Sequence, residues 1–294
     1  MYLKLNQTPF DLDLTLCCGQ VFNWKKRDGW WYGVIGVTPI KIQQINQTLH
    51  FENARWDLVK NYFGLNDDLN EIKNKINRDE HIEMALNSFW GLRIIKQDPW
   101  ECLISYICAT FKSIAAIRTM LFKLSRKFGQ KKSLDDFIVY SFPGPEKLRL
   151  AKRNELLECG LGYRSKYVIE SSNIIFQYDS FFEELKNLSY LEAKKLLIKL
   201  PGIGPKAADC ILLFSLGKTI AFPVDVWIKR AIINHYSDHF TKQFISRISN
   251  SRSISNSEYY KLNEFGRNYF GEFAGYAQEY LFHFERINSK KNIS

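Results

Sequence analysis

Residues 200–210 read LPGIGPKAADC, and they leave few folds open. Two glycines and two prolines punctuate an apolar, helix-spaced segment, KKLLIKLPGIGPKAADCILLFSL (194–216), which reads as two helices joined by a tight turn. Gly202 and Gly204 can take backbone angles closed to other residues and let another backbone approach closely. Pro205 suits the first helical position, and the leading N–H groups of the helix it opens lack intrahelical partners. Free amides at the positive end of the dipole form an anion site. Lys206 follows at the end of the helix where a cation is least favoured, so stability alone does not account for it. The plainer alternative is a corner between helices that binds nothing.

The charge balance suggests what the anion is. The 294-residue chain has 41 Lys+Arg against 31 Asp+Glu, a net charge of +10, which suits a nucleic acid or an acidic membrane surface. A hydrophobic content of 46% can bury the core of one large domain or two to three subdomains. Cys17, Cys18, Cys102, Cys108, Cys159 and Cys210 form no CxxC pair and read as reduced, mostly buried thiols of an intracellular protein. The start MYLKLNQTPFDLDL lacks the apolar core of a signal peptide, and no apolar run is long enough to span a bilayer. A soluble intracellular protein is expected.

Along the chain, the first fifty or so residues read as β structure, with WWYGVIGVTPIKIQQINQTLHFE (30–52) aromatic and β-branched. From ARWDLVKNYFGL onward the spacing is helical. The longest helical stretch is expected over 98–129, with Asp98 as cap and Pro99 at the first position. Shorter helices are separated by SFPGP, CGLGYR, LPGIGP and FPVDV. The expected fold is α+β. An N-terminal antiparallel β-sheet subdomain with trailing helices (1–95) packs on a larger all-α body (96–294), with a helix–hairpin–helix at about 194–216 and a last helix over 274–286.

A hairpin of this kind grips phosphate and carries no base specificity. Lys206 adds chemistry: the dipole and any burial favour its neutral amine, a nucleophile able to form a Schiff base with a sugar aldehyde carbon. A charged, phosphate-binding lysine is the competing reading. Asp225, after Pro223, reads as an N-cap for VWIKRAIINHY.

LPGIGPKAADC followed by FPVDV resembles the helix–hairpin–helix, Gly/Pro-rich loop and aspartate motif of the base-excision DNA glycosylases. More closely, the chain is similar to the 8-oxoguanine DNA glycosylase/AP lyases, through CGQVFNW (18–24), QDPWECLISYIC (97–108), GLGYRSKYV (160–168), PVDV (223–226) and AGYAQEYLF (274–282). The resemblance implies that Lys206 attacks the anomeric carbon, expels the base and leaves an imine whose elimination nicks the strand. It implies that Asp225 stabilises the positive sugar ring and helps move protons. Gln278 and Phe282, four apart on one helix face, would meet the Watson–Crick edge and the face of a flipped base. Cys210 would cover the opposite face, and the Gly19 carbonyl would accept from N7–H, a proton that normal guanine lacks. Tyr163 would wedge beside the vacated position, and Arg164 would bond the orphaned partner base.

The chain departs from the eukaryotic pattern at Phe111, Lys112, Ser113 and Ala116, where those members carry an asparagine run and a second base-reading arginine. Discrimination of the opposing base should therefore be weak, as excision rates opposite C, T, G and A would measure. Trp227 stands where those members have a histidine. These departures favour a bacterial cytoplasm or nucleoid over a nucleus. The C-terminal four-cysteine cluster of endonuclease III relatives is lacking, so no cofactor, metal or iron–sulfur centre is expected. The partner implied is double-stranded DNA containing 8-oxoguanine, bound by a monomer away from any membrane. Two rivals remain: an alkylated-purine glycosylase of the same fold, and a non-catalytic hairpin module that holds phosphate.

Overall fold

The computed structural model describes residues 1–251 and 253–291. Strands β1 (Tyr2–Lys4), β2 (Lys25–Arg27), β3 (Trp30–Ile35), β4 (Thr38–Ile45) and β5 (Thr48–Glu52) form an antiparallel sheet in the order β1-β5-β4-β3-β2. Asp28 and Gly29, with φ of 51° and 81°, make the two-residue turn between β2 and β3. Ile42 pairs with both Trp31 and Phe51, and alternation turns these residues to one face. That face buries Trp24, Val59 and Phe63, and the Trp24 indole N–H donates to the Tyr62 hydroxyl at 2.9 Å.

The expected β region is interrupted by a short helix, Leu12–Cys17, because Asp11 caps it by accepting from the Leu14 amide at 2.8 Å. The expected helical stretch over 98–129 is also two helices, Pro99–Ala109 and Ile114–Phe128. Phe111 turns left-handed between them, with φ of 54°, and Ser113 caps the second by accepting from Ala116. The body is mostly helical and includes one hairpin, β6 (Lys131–Leu134) and β7 (Phe137–Tyr140). Leu134 and Val139 pack on Tyr32 and Val34, the face of the sheet away from its main core.

Two polar anchors tie the loops of the sheet to the segments that follow it within the N-terminal unit. Arg93 is wholly buried and donates to the carbonyls of Pro9 (2.9 Å), Gly64 (2.8 Å) and Asp67 (2.7 Å). Gln20 donates to the Arg93 carbonyl at 2.7 Å and accepts from the Ile95 amide at 2.8 Å, which clamps the loop that follows Cys17. The sequence reading identified neither residue; a buried Arg–carbonyl set leaves no periodic trace.

Candidate active site

The hairpin forms as its composition requires. Its helices span Tyr190–Ile198 and Pro205–Ser215. Gly202 adopts φ of 82°, and a Cβ there would fall 2.8 Å from the Tyr167 ring, so both conformation and space demand glycine. Gly204 differs from expectation: its φ of −96° is open to any residue. What it provides is room, because nothing lies within 4 Å of a Cβ built there. No side chain caps the helix that starts at Pro205, so its first amides have no side-chain partner.

Beneath the turn lies a polar network that the sequence reading missed. Asp209 is fully buried and pairs with Lys194 at 2.7 Å. It also accepts from the hydroxyls of Tyr190 (2.6 Å) and Tyr259 and from the Asn263 amide (3.0 Å). Asn263 further donates to the Phe222 carbonyl at 2.8 Å, which fixes the segment leading to Asp225. An aspartate amid the apolar positions of AADCILLF was the available signal.

One cavity of about 730 Å³ opens between the hairpin, the last helix and the loop after Cys17. Lys206, Cys210, Asp225, Gln278, Phe282 and Gly19 all line it. Lys206 is exposed, and its side chain stands in the open cavity with Nζ 5.8 Å from the Tyr106 ring. Asp225 caps the helix Val226–His235, and its Oδ1 accepts from the amides of Trp227 (2.9 Å) and Ile228 (3.0 Å). Burial pushes its carboxyl above the ordinary range, opposed chiefly by the Lys206 charge and then by those two amides. Burial also pushes the Cys210 thiol up to about 12, so it stays protonated against the cavity wall.

The last helix, Ala274–Lys291, is pinned from behind: the Tyr276 hydroxyl donates to Asp67 at 2.9 Å and the Tyr280 hydroxyl to the Leu92 carbonyl at 3.1 Å. This presents Gln278, with Oε1 buried and unpaired, and Phe282 on the same face. Gly19 adopts φ of 116°, and a Cβ there would lie 2.8 Å from Arg286 and 3.7 Å from the Phe282 ring. The glycine therefore sits directly against that aromatic wall. Glu279, Arg286 and Arg118, absent from the sequence-derived site, also line the cavity.

The probing segment is only partly as expected. Tyr163 is 54% exposed. Arg164 instead turns inward, 4% exposed, and donates to the carbonyls of Leu161 (3.4 Å) and Thr110. Its guanidinium also lies over the Tyr163 ring at 4.5 Å. In this arrangement it ties the Thr110–Ser113 loop to Tyr163 and does not offer its fork to a base. Phe111, 92% exposed, projects from that tied loop, and neighbouring Lys112 and Ser113 reach the cavity. Trp227 lines the cavity too, with the Arg230 guanidinium 4.9 Å from its ring.

A capped aspartate and a hairpin lysine facing one base-sized cavity define a helix–hairpin–helix DNA glycosylase scaffold. Residues 104–250 match the model of the HhH-GPD superfamily base excision DNA repair proteins, and the chain belongs to that superfamily. Residues 2–103 match the 8-oxoguanine DNA glycosylase N-terminal domain. A probable N-glycosylase/DNA lyase of Methanothermobacter thermautotrophicus is 31% identical, over 97% of this chain and 96% of that protein. The N-glycosylase/DNA lyase OGG1 of Arabidopsis thaliana is 28% identical, over 95% of this chain and 78% of that protein. Among solved structures, the Clostridium acetobutylicum 8-oxoguanine glycosylase/lyase, in complex with double-stranded DNA containing cytosine opposite 8-oxoG, superposes with a TM-score of 0.86. It is 32% identical and the match covers 96% of this chain and 93% of that one.

Proposed function

We propose that this protein excises 8-oxoguanine from duplex DNA by nucleophilic attack of Lys206 and then nicks the strand by β-elimination. The observation that carries the reading is the shared cavity: Lys206 and Asp225 face the same space as Gln278, Phe282, Cys210 and Gly19. Its volume of about 730 Å³ admits a base with its sugar.

The flipped base enters between Phe282 and Cys210, where an aromatic face and a protonated thiol offer flat, uncharged walls. The unpaired Gln278 Oε1 accepts from the donors on a guanine's Watson–Crick edge. The Gly19 carbonyl accepts from N7–H, so undamaged guanine loses that bond. The neutral Lys206 amine then attacks C1′; the N–C1′ bond forms as the bond to the base breaks and the base keeps the electron pair. Positive charge on the sugar ring is met by the Asp225 carboxylate, held by the Trp227 and Ile228 amides. The nitrogen lone pair then forms the imine as the C1′–O4′ bond breaks and one nitrogen proton passes to O4′; the imine acidifies the C2′ proton, and its loss expels the 3′ phosphate. Gly202, Gly204 and the leading amides of the helix that Pro205 opens hold a neighbouring phosphate meanwhile.

Borohydride trapping tests this directly. A duplex containing 8-oxoguanine should yield a covalent adduct with the wild type and none with Lys206→Ala. An adduct that survives Lys206→Ala would assign the nucleophile elsewhere.

A further inference from the structure

We propose that Glu279 is the acid of the base pocket: its carboxyl hands a proton to the base as the base departs. The inference rests on the glycosylase reading above and adds a group to it. Glu279 is 2% exposed, yet its side chain lines the cavity. It precedes Phe282 by three residues and Arg286 by seven, so the three form one stripe of the last helix. Its Oε1 is buried without a hydrogen-bond partner, and its other polar link is the Cys18 thiol beside Gly19.

A carboxylate so placed is poorly solvated, and burial pushes the Glu279 carboxyl up to about 7. The groups that face it come from five places. Cys18 lies in the loop after the first helix, Arg286 on its own helix, Asp225 at the cap of Val226–His235, Lys206 on the hairpin and Tyr106 on Pro99–Ala109. Arg286 and Lys206 favour the anion and Asp225 the neutral form; burial outweighs them all.

The reaction needs such a group, because the base leaves with the electron pair of its broken bond. Cys210 holds its proton too tightly, and Asp225 is engaged by two amides. Glu279 transfers its proton to the departing base, giving a neutral base and a carboxylate. The Lys206 nitrogen, now bonded to C1′, carries one proton too many. Its release to the Glu279 carboxylate leaves a neutral aminal and restores the acid. Atoms and charge balance without any further reactant.

Glu279→Gln keeps the shape and removes the proton. The test compares single-turnover excision of 8-oxoguanine with nicking of a preformed abasic site, where no base leaves, from about pH 5.5 to about pH 8.5. Wild-type excision should fall on the alkaline side of about 7, and Glu279→Gln should lose that limb. The ratio of excision to nicking should drop on the order of 10²-fold in the variant. Persistence of the limb, or equal loss of both activities, would overturn the assignment. Absence of a borohydride adduct from the wild type itself would instead overturn the nucleophile reading beneath it.

Discussion

At the residue scale, Asp225 joins an observed cap to the chemistry proposed for it. Its Oδ1 is occupied by two helix amides, which fixes the carboxylate toward the cavity. Asparagine caps nearly as well, so Asp225→Asn should unfold within about 1 kcal/mol of the wild type. Loss of the charge should lower base release on the order of 10²–10³-fold, measured by single-turnover kinetics. Near-wild-type release would show that the cap is its only task. That Lys206, Asp225, Gln278, Phe282, Cys210 and Gly19 line one cavity was legible: helix-face spacing paired Lys206 with Cys210 and Gln278 with Phe282, and the family resemblance added Asp225 and Gly19. Arg164 was not legible in its observed role. Whether a long cation points outward or spends itself on the Leu161 and Thr110 carbonyls depends on neighbours from another loop.

At the element scale, the hairpin illustrates the difference between punctuation and support. Gly202 and Pro205 mark the turn in the sequence, but the angle between its two helices is held by the buried Asp209–Lys194 pair and the tyrosines around it. Removing one member of a buried pair strands the other charge, at a cost of about 3–5 kcal/mol. Asp209→Ala should lose about that much stability in urea titration, although the residue lies outside the cavity. A loss under about 1 kcal/mol would mean that the network holds little. The break at Thr110–Ser113 follows the same logic. Apolar helical spacing continues through it, and only the packing of Pro99–Ala109 and Ile114–Phe128 requires the left-handed Phe111.

At the scale of the whole molecule, the buried carboxyls set a pH dependence. Glu279 is pushed to about 7 and Glu101, which accepts from the Asn23 amide at 2.7 Å, to about 8, both mainly by burial. In the unfolded chain a glutamate titrates near about 4.3. The folded state thus keeps these protons where the unfolded chain has released them, and stability falls as pH rises through that window. His235, whose pKa burial lowers, acts oppositely at the acidic end. Unfolding free energy should therefore drop by a few kcal/mol between about pH 5 and about pH 8.5, and the double variant Glu101→Gln/Glu279→Gln should flatten the slope. A stability that rises over this range would contradict the upward shift of both carboxyls. No helix among the described residues is long and apolar enough to cross a membrane.

By itself the sequence determined the alternating strands, the hairpin, the caps at Asp98 and Asp225, and the helix-face pairing of Gln278 with Phe282, because each depends on residues within a turn or two of one another. The tertiary structure decided where Arg164 points, that Asp209 and Lys194 meet, that Arg93 and Gln20 clamp the loops around the sheet, and that Glu279 lies in the cavity. Those outcomes depend on burial, and burial is a property of distant segments brought together. Local spacing can say which face of a helix a side chain occupies, but only the assembled fold says whether that face meets water, a carbonyl or a charge.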